Sequence, residues 1–79
     1  MTLERANEIV AGVTTRHKAF VTERVYLFGT YAAVTFKRLT VDPRRVSVWF
    51  DEVGAYVVQT GYDNMNSEWF AYFREDNTK

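Results

Sequence analysis

The sequence predicts an α+β fold in which an N-terminal helix packs on one face of a four- to five-stranded antiparallel sheet. Apolar residues recur at helical spacing over the first twenty residues, and after that point β-branched and aromatic residues alternate with polar ones. Turn-forming residues divide the rest into short segments, which is typical of hairpins. The chain has 79 residues and no linker or low-complexity tract, so a single domain over residues 1–79 is expected.

The first element is a helix over about residues 2–18. Its apolar stripe has spacings of 3, 4, 3, 4 and 3 and consists of Leu3, Ala6, Val10, Val13, His17 and Phe20. Thr2 is expected to cap the helix, since its hydroxyl can accept a hydrogen bond from a free amide of the first turn. Gly12 is expected to mark a close approach to the element beneath the helix.

Strands are expected within about residues 21–74. The predicted segments are 21–28, 31–39, 45–51, 55–60 and 68–74. Gly29 and Gly54 mark turns, and at the second turn Gly54 is expected to supply a positive φ in a short hairpin over residues 51–54. Asp42-Pro43 opens a further turn. Residues 61–67 form a polar loop, and residues 75–79 form a frayed tail.

One helix can cover only one face of such a sheet. The third predicted strand, 45–51, places Val46, Val48 and Phe50 inward and Trp49 outward. Aromatic residues make up 16% of the chain. The uncovered face is expected to carry Tyr31, Trp49 and a subset of Tyr56, Trp69, Phe70 and Tyr72. These rings either stabilise the sheet through cross-strand pairs or form a partner-binding face, and the sequence leaves both readings open.

The charges are balanced in number but not along the chain. Residues 1–45 contain eight Lys/Arg and four Asp/Glu, whereas residues 46–79 contain two Lys/Arg and six Asp/Glu. Such a difference between halves indicates a charged contact surface, unless the fold mixes the halves in space so that their fields cancel.

No catalytic residue, metal site or cofactor is predicted. The chain lacks cysteine, which excludes disulfides, zinc–thiolate sites and thiol redox chemistry. His17 is the only histidine and belongs to the helix stripe, while Ser47 and Ser67 lack a nucleophile-elbow context. The polar run 63–68 fails the calcium-loop pattern because Met65 occupies a ligand position. We therefore expect a non-enzymatic protein, and the absence of a membrane span or signal pattern predicts a cytoplasmic one.

In general character, as a short non-catalytic α+β domain, the chain resembles the small phage-encoded anti-CRISPR proteins. The resemblance is one of class, and no motif in residues 1–79 carries it. It implies an inhibitor that blocks a bacterial CRISPR-Cas effector complex in the host cytoplasm by occupying its nucleic-acid or subunit surface.

On this hypothesis, acidic residues would pair with Lys/Arg of the effector while aromatic residues anchor the contact. The predicted protein-binding residues are Trp49, Asp51, Glu52, Tyr56, Asp63, Glu68, Trp69, Glu75 and Asp76. An alternative is a small nucleic-acid-binding regulator that uses a basic hairpin edge. Its predicted residues are Lys37, Arg38, Arg44 and Arg45. An accessory subunit of a larger assembly is a third interpretation, and the sequence leaves monomer and homodimer open.

Overall fold

Two helices and four strands follow one another in the order α-β-β-α-β-β within residues 1–37 and 44–76, which a computed structural model describes. They are α1 (Leu3–Arg16), β1 (Thr22–Phe28), β2 (Tyr31–Phe36), α2 (Arg45–Asp51), β3 (Ala55–Asp63) and β4 (Glu68–Glu75). The predicted α+β class is confirmed, with an N-terminal helix on a four-stranded antiparallel sheet. The second helix was not predicted.

The sheet has the strand order β1-β2-β4-β3, and each neighbouring pair is antiparallel. Hairpins join β1 to β2 and β3 to β4, and Gly29 supplies a φ of 62° at the first turn. Since β2 and β3 each run antiparallel to β4, they are parallel to one another. The connection through α2 is therefore a split β-α-β unit with β4 inserted between its strands. Strands β1 and β3 form the edges.

Helix α1 begins and ends where its local sequence predicts. The Oγ1 of Thr2 accepts a hydrogen bond of 3.1 Å from the backbone N–H of Arg5, and His17 closes the helix by donating its backbone N–H to the carbonyl of Val13. The buried residues of α1 are Ala6, Ile9, Val10 and Val13. Leu3, the first residue of the predicted stripe, remains exposed.

The prediction of a strand over residues 45–51 is wrong, because this segment forms α2. Val46 and Phe50 are fully buried, whereas Val48, midway between them, is 52% exposed. Burial at positions i and i+4 with exposure at i+2 is the pattern of a helix face, and a strand would bury all three alike. The β-branched residues favoured a strand locally, but packing against β3 and the core overrode that preference.

The prediction of a hairpin over residues 51–54 is also wrong, because this segment connects a helix, α2, to β3 and does not join two strands. Gly54 nevertheless adopts the predicted positive φ, at 77°. Strand β3 extends to Asp63 and reduces the predicted polar loop to a tight turn before β4. Arg38, the Asp42-Pro43 turn and residues 77–79 of the predicted tail lie outside the described residues.

The core fills the space between the two helices and one face of the sheet. Its largest fully buried side chains include Phe36, Phe50 and Phe73, and the rings of Phe50 and Phe73 have centroids 4.8 Å apart. The predicted close approach at Gly12 is present: a Cβ there would lie 3.3 Å from the Cγ1 of Val53, which follows α2. Because both helices pack on the same face, neither covers the opposite one.

Neither of the two described helices is both long and apolar enough to cross a lipid bilayer.

Candidate binding site on the open sheet face

The sheet face opposite the helices, called the open face below, is set by the strand register. Cross-strand partners point to the same side of a sheet, and successive residues of a strand alternate between sides. From β1 and β2 the open face receives Arg24, Tyr26, Phe28, Tyr31, Ala33 and Thr35. From β4 and β3 it receives Glu68, Phe70, Tyr72, Arg74, Tyr56, Gln59, Gly61 and Asp63. Six of these residues are aromatic, so the face is far more apolar than an ordinary solvated sheet face.

A row of small residues on β2 divides the open face. Ala33 pairs with Tyr26 on one side and Tyr72 on the other, and Thr35 pairs with Arg24 and Phe70 in the same way. With neighbouring strands about 4.8 Å apart, the flanking side chains start about 10 Å from one another. Ala33 and Thr35 are nonetheless buried, so the side chains of β1 and β4 lean over β2. This arrangement is called the groove below, with its floor on β2 and its walls on β1 and β4.

Ring contacts hold the walls of the groove in place. Phe28 stacks on Tyr72 across β2, with centroids 4.9 Å apart and planes 8° from parallel. Phe70 packs against Tyr72 at 5.0 Å and also lies over Gly61, its partner on β3. A Cβ at Gly61 would lie 2.6 Å from the Cζ of Phe70, so only glycine leaves room for this ring position.

At one end, the groove deepens into a cavity of about 470 Å³ beneath the β3–β4 turn. Its lining consists of Arg24, Tyr26, Thr35, Tyr62, Asp63, Asn64, Met65, Asn66, Glu68, Phe70 and Tyr72. This volume lies within the range of small-ligand and side-chain pockets, which typically combine aromatic walls with a few polar groups.

An ion pair sits on the wall of this cavity. The Nη2 of Arg24 donates a hydrogen bond of 2.6 Å to the Oε1 of Glu68, and the guanidinium lies 5.5 Å from the ring centroid of Tyr26. The hydrogen bond to the carboxylate raises the pKa of Arg24 above its ordinary value. The Arg24 side chain is 60% exposed, but that of Glu68 is only 11% exposed. The carboxylate therefore belongs to the wall, whereas the guanidinium lies largely in solvent.

Asp63 supplies a second carboxylate at the β3–β4 turn. Its Oδ2 accepts a hydrogen bond of 2.8 Å from the side-chain amide of Asn66, and its Oδ1 accepts one of 2.9 Å from the backbone N–H of Met65. These bonds, led by that from Asn66, lower the pKa of Asp63. The polar run is thus a turn stabilised by its own aspartate. Two carboxylates and one guanidinium are the charged groups of the cavity lining.

The other predicted acidic residues do not lie beside Asp63 and Glu68. Glu75 lies at the far end of β4, about 23 Å from Glu68 at the usual rise of a strand, with Asp76 directly after it. Asp51 and Glu52 lie at the end of α2. Of the predicted acidic residues, the fold brings together only Asp63 and Glu68.

Among the described residues, two ion pairs between the halves of the chain offset part of the charge difference, and a hydrogen bond between His17 and Glu52 is a third contact of this kind. Arg5 pairs with Glu75, Arg24 pairs with Glu68, and the Nε2 of His17 lies 2.7 Å from the Oε1 of Glu52. Each pair joins a basic residue from the first 45 positions to an acidic residue from the remainder. The halves are therefore mixed in space, as antiparallel pairing favours.

The three predicted aromatic anchors occupy different places. Tyr56 lies on the open face, 46% exposed, with the Arg74 guanidinium 4.8 Å from its ring centroid. The placement of Trp49 on the uncovered sheet face is wrong: it lies on α2 and stacks on His17 at 4.4 Å. Trp69 points to the helix-covered side and packs partly buried against the core.

Three of the four predicted basic residues lie in the described part of the chain. Lys37 is exposed and follows the last residue of β2, at the end of the sheet where Glu68 begins β4. Arg44 and Arg45 start α2, on the other layer. Arg38 falls outside the described residues, so its position relative to the other three stays untested.

Sequence reasoning missed the wall of the groove on β1 and its floor on β2. Arg24, Tyr26 and Phe28 recur at a period of two, opposite the small residues Ala33 and Thr35. That alternation was available in the sequence and would have indicated one side of a strand. Nothing local, however, places Glu68 beside Arg24, since 44 positions separate them.

Among residues 1–37 and 44–76, no group of three or more potential metal-ligating side chains lies together. No family model, curated protein or solved structure matches this chain. The open face is therefore the feature from which a function is inferred.

Proposed function

We propose that the protein is a non-catalytic binding protein that engages a protein partner through the open face. The observation that carries this proposal is a row of aromatic side chains on a sheet face that neither described helix covers. Phe28 and Tyr56, near the two edges of this face, are 51% and 46% exposed. Exposed aromatic residues are enriched at interfaces because a rigid ring buries a large area at a small entropic cost.

The charge of the cavity lining favours a protein partner over a nucleic acid. Glu68 and Asp63 line the cavity of the open face, and Arg24, the cation among its lining residues, is already paired with Glu68. With two carboxylates and one guanidinium, the cavity lining has a net negative charge, which complements the Lys and Arg that a nucleic-acid-handling protein presents to phosphates. We accordingly propose an effector of this kind as the partner, of which a CRISPR-Cas complex in the bacterial cytoplasm is the example implied by the resemblance.

Single-stranded nucleic acid is a second candidate, because two arginines lie over aromatic rings of the same face. Arg24 lies over Tyr26 and Arg74 over Tyr56. Cations beside rings are the arrangement with which proteins hold phosphates while stacking bases. Binding of this kind weakens steeply as salt increases, which distinguishes it from a contact dominated by rings.

The test is a binding assay against a panel of purified effector complexes and single-stranded oligonucleotides. Tyr56→Ala and Phe28→Ala remove exposed rings from the open face, whereas Val48→Ala is a control that removes an exposed apolar side chain from α2. If either ring is a hot spot, its loss weakens partner binding by about 30-fold or more, and the control binds as the parent does.

Equal binding by all three variants would contradict the proposed face. Binding to oligonucleotides in place of effectors, with a steep loss of affinity between low and moderate salt, would favour the second candidate.

A further inference from the structure

We propose that the cavity beneath the β3–β4 turn binds an arginine side chain of the partner, and that Arg24 occupies part of this site until the partner displaces it. The inference rests on the proposed function, since it takes the partner to be a protein. It adds the chemical group that the open face recognises.

The contacts of Arg24 already resemble those of a bound guanidinium. Its Nη2 donates to a Glu68 oxygen at 2.6 Å, and the group lies over the Tyr26 ring. A hydrogen bond to a carboxylate combined with contact to an aromatic face is how proteins recognise a guanidinium in preference to other cations.

Burial determines which member of the ion pair can leave. The Glu68 side chain is mostly covered and begins the inner strand β4, with Asp63 opposite it on β3. Arg24 is mostly exposed and lies on the edge strand β1, where the register shifts between Thr22 and Arg24. When its cation leaves, the Glu68 carboxylate loses a charge-assisted hydrogen bond. Replacing one guanidinium by another avoids that loss, so displacement of Arg24 is a near-balanced exchange.

The cavity contains aromatic surface and a carboxylate in addition to the groups that Arg24 contacts. Phe70 and Tyr72 line the wall on the β4 side, opposite Tyr26 on β1. An entering side chain would thus have aromatic surface on both sides. Asp63 offers a further carboxylate at the same cavity, held anionic by its hydrogen bonds within the turn.

A lysine side chain or a phosphate fits these walls less well. An ammonium group is compact and strongly hydrated, so it gains little from lying between two aromatic walls. A phosphate would meet the carboxylates of Glu68 and Asp63. The shape and charge of the cavity therefore select a planar cation.

The experiment is an NMR titration of ¹⁵N-labelled protein with N-acetyl-arginine amide, with the lysine analogue and inorganic phosphate as comparison ligands. We expect weak binding, with a Kd of about 1 mM or above for so small a ligand. The shifts should be confined to amides around Tyr26, Glu68 and Phe70, and the lysine analogue and phosphate should cause much smaller ones.

Three variants make the titration decisive. Arg24→Ala vacates the site and is expected to tighten arginine-amide binding about tenfold, or 1.4 kcal/mol. Glu68→Gln removes the acceptor charge and should abolish binding. Arg74→Ala is the matched control, since it removes an arginine from the ring of Tyr56 rather than from the cavity. Arg24→Met, which keeps an apolar stem near Tyr26, replaces Arg24→Ala if that variant fails to fold.

Arginine-amide binding that is unchanged by Glu68→Gln, or that is weakened in a folded Arg24 variant, would overturn the inference. Failure of arginine amide to bind, while Tyr56→Ala still weakens partner binding, would remove the inference and leave the proposed function standing. Arginine amide could bind while Tyr56→Ala and Phe28→Ala leave partner binding unchanged. That result would remove the proposed function and keep the cavity as a guanidinium site.

Discussion

Alanine substitutions at Val46 and Val48 test the assignment of residues 45–51 as a helix. Val46 is fully buried in the core and Val48 is about half exposed, although a strand would point both side chains the same way. Each Val→Ala change removes two methyl groups. At a buried site this costs about 1.6 kcal/mol at about 0.8 kcal/mol per group, and the remaining cavity adds to the loss.

Helix propensity acts equally on both variants. Replacing valine by alanine within a helix recovers about 0.6 kcal/mol, and this gain cancels in the comparison. We expect Val46→Ala to lower the free energy of unfolding by about 1.5–2 kcal/mol, and Val48→Ala to stay within about 0.5 kcal/mol of the parent.

Thermal unfolding followed by far-UV circular dichroism measures this difference. In a domain of this size, 1 kcal/mol corresponds to about 4–8 °C in Tm, so Val46→Ala should melt at least about 6 °C below the parent. Equal losses at Val46 and Val48 would refute the helical assignment, because they are the result expected of a strand that buries both residues.

Three further predictions concern the groove, Trp49 and the β3–β4 turn. Gly61→Ala places a methyl group where the Phe70 ring lies, so the ring must move. We expect altered NMR shifts of the Phe70 ring protons and weaker arginine-amide binding. Unchanged spectra would contradict the contact between Gly61 and Phe70. Trp49→Ala should lower the free energy of unfolding by about 2–4 kcal/mol, because the ring packs against His17 and Phe20. Arginine-amide binding should be retained at temperatures where the variant is folded. The pKa of Asp63 is lowered by its hydrogen bonds, so its contribution to the turn is complete above the ordinary value of about 3.8 and is lost as the pH falls through the lower folded value. Loss of protection of the Met65 backbone amide, relative to its intrinsic exchange rate at each pH, should report this change. Asp63→Asn, which carries no titrating carboxylate, should show no such pH dependence.

Local signals predicted the elements whose form depends on near neighbours. The Thr2 cap, the end of α1 near His17 and the turn at Gly29 follow from hydrogen bonding and backbone freedom within a few residues. The expected position of Tyr31 on the uncovered face is also correct. Such features need no knowledge of what packs against them.

Local signals did not predict the second helix, because its form depends on what packs against it. Residues 45–51 are rich in β-branched and aromatic types, and both a strand and a helix would bury Val46 and Phe50. Only the exposure of Val48 separates the two, and exposure is a property of the packed molecule. The error then propagated to Trp49, which was expected on a sheet face and instead stacks on His17.

Some features of the candidate site were likewise predicted from the sequence, and others depend on tertiary contacts. From its aromatic content and the one helix that it predicted, the sequence indicated that a sheet face rich in rings would remain uncovered. The structure adds a second helix, and the face stays uncovered because both helices pack on the opposite side. It also established the charge difference between halves. The tertiary structure decided how that difference is used: the strand order places Arg24 of β1 across β2 from Glu68 of β4, and the two form an ion pair. It also decided that Asp63 and Glu68 share a cavity while Glu75 lies at the opposite end of β4. Strand order and register are determined by contacts between residues distant in the chain, and those contacts place the site on the open face.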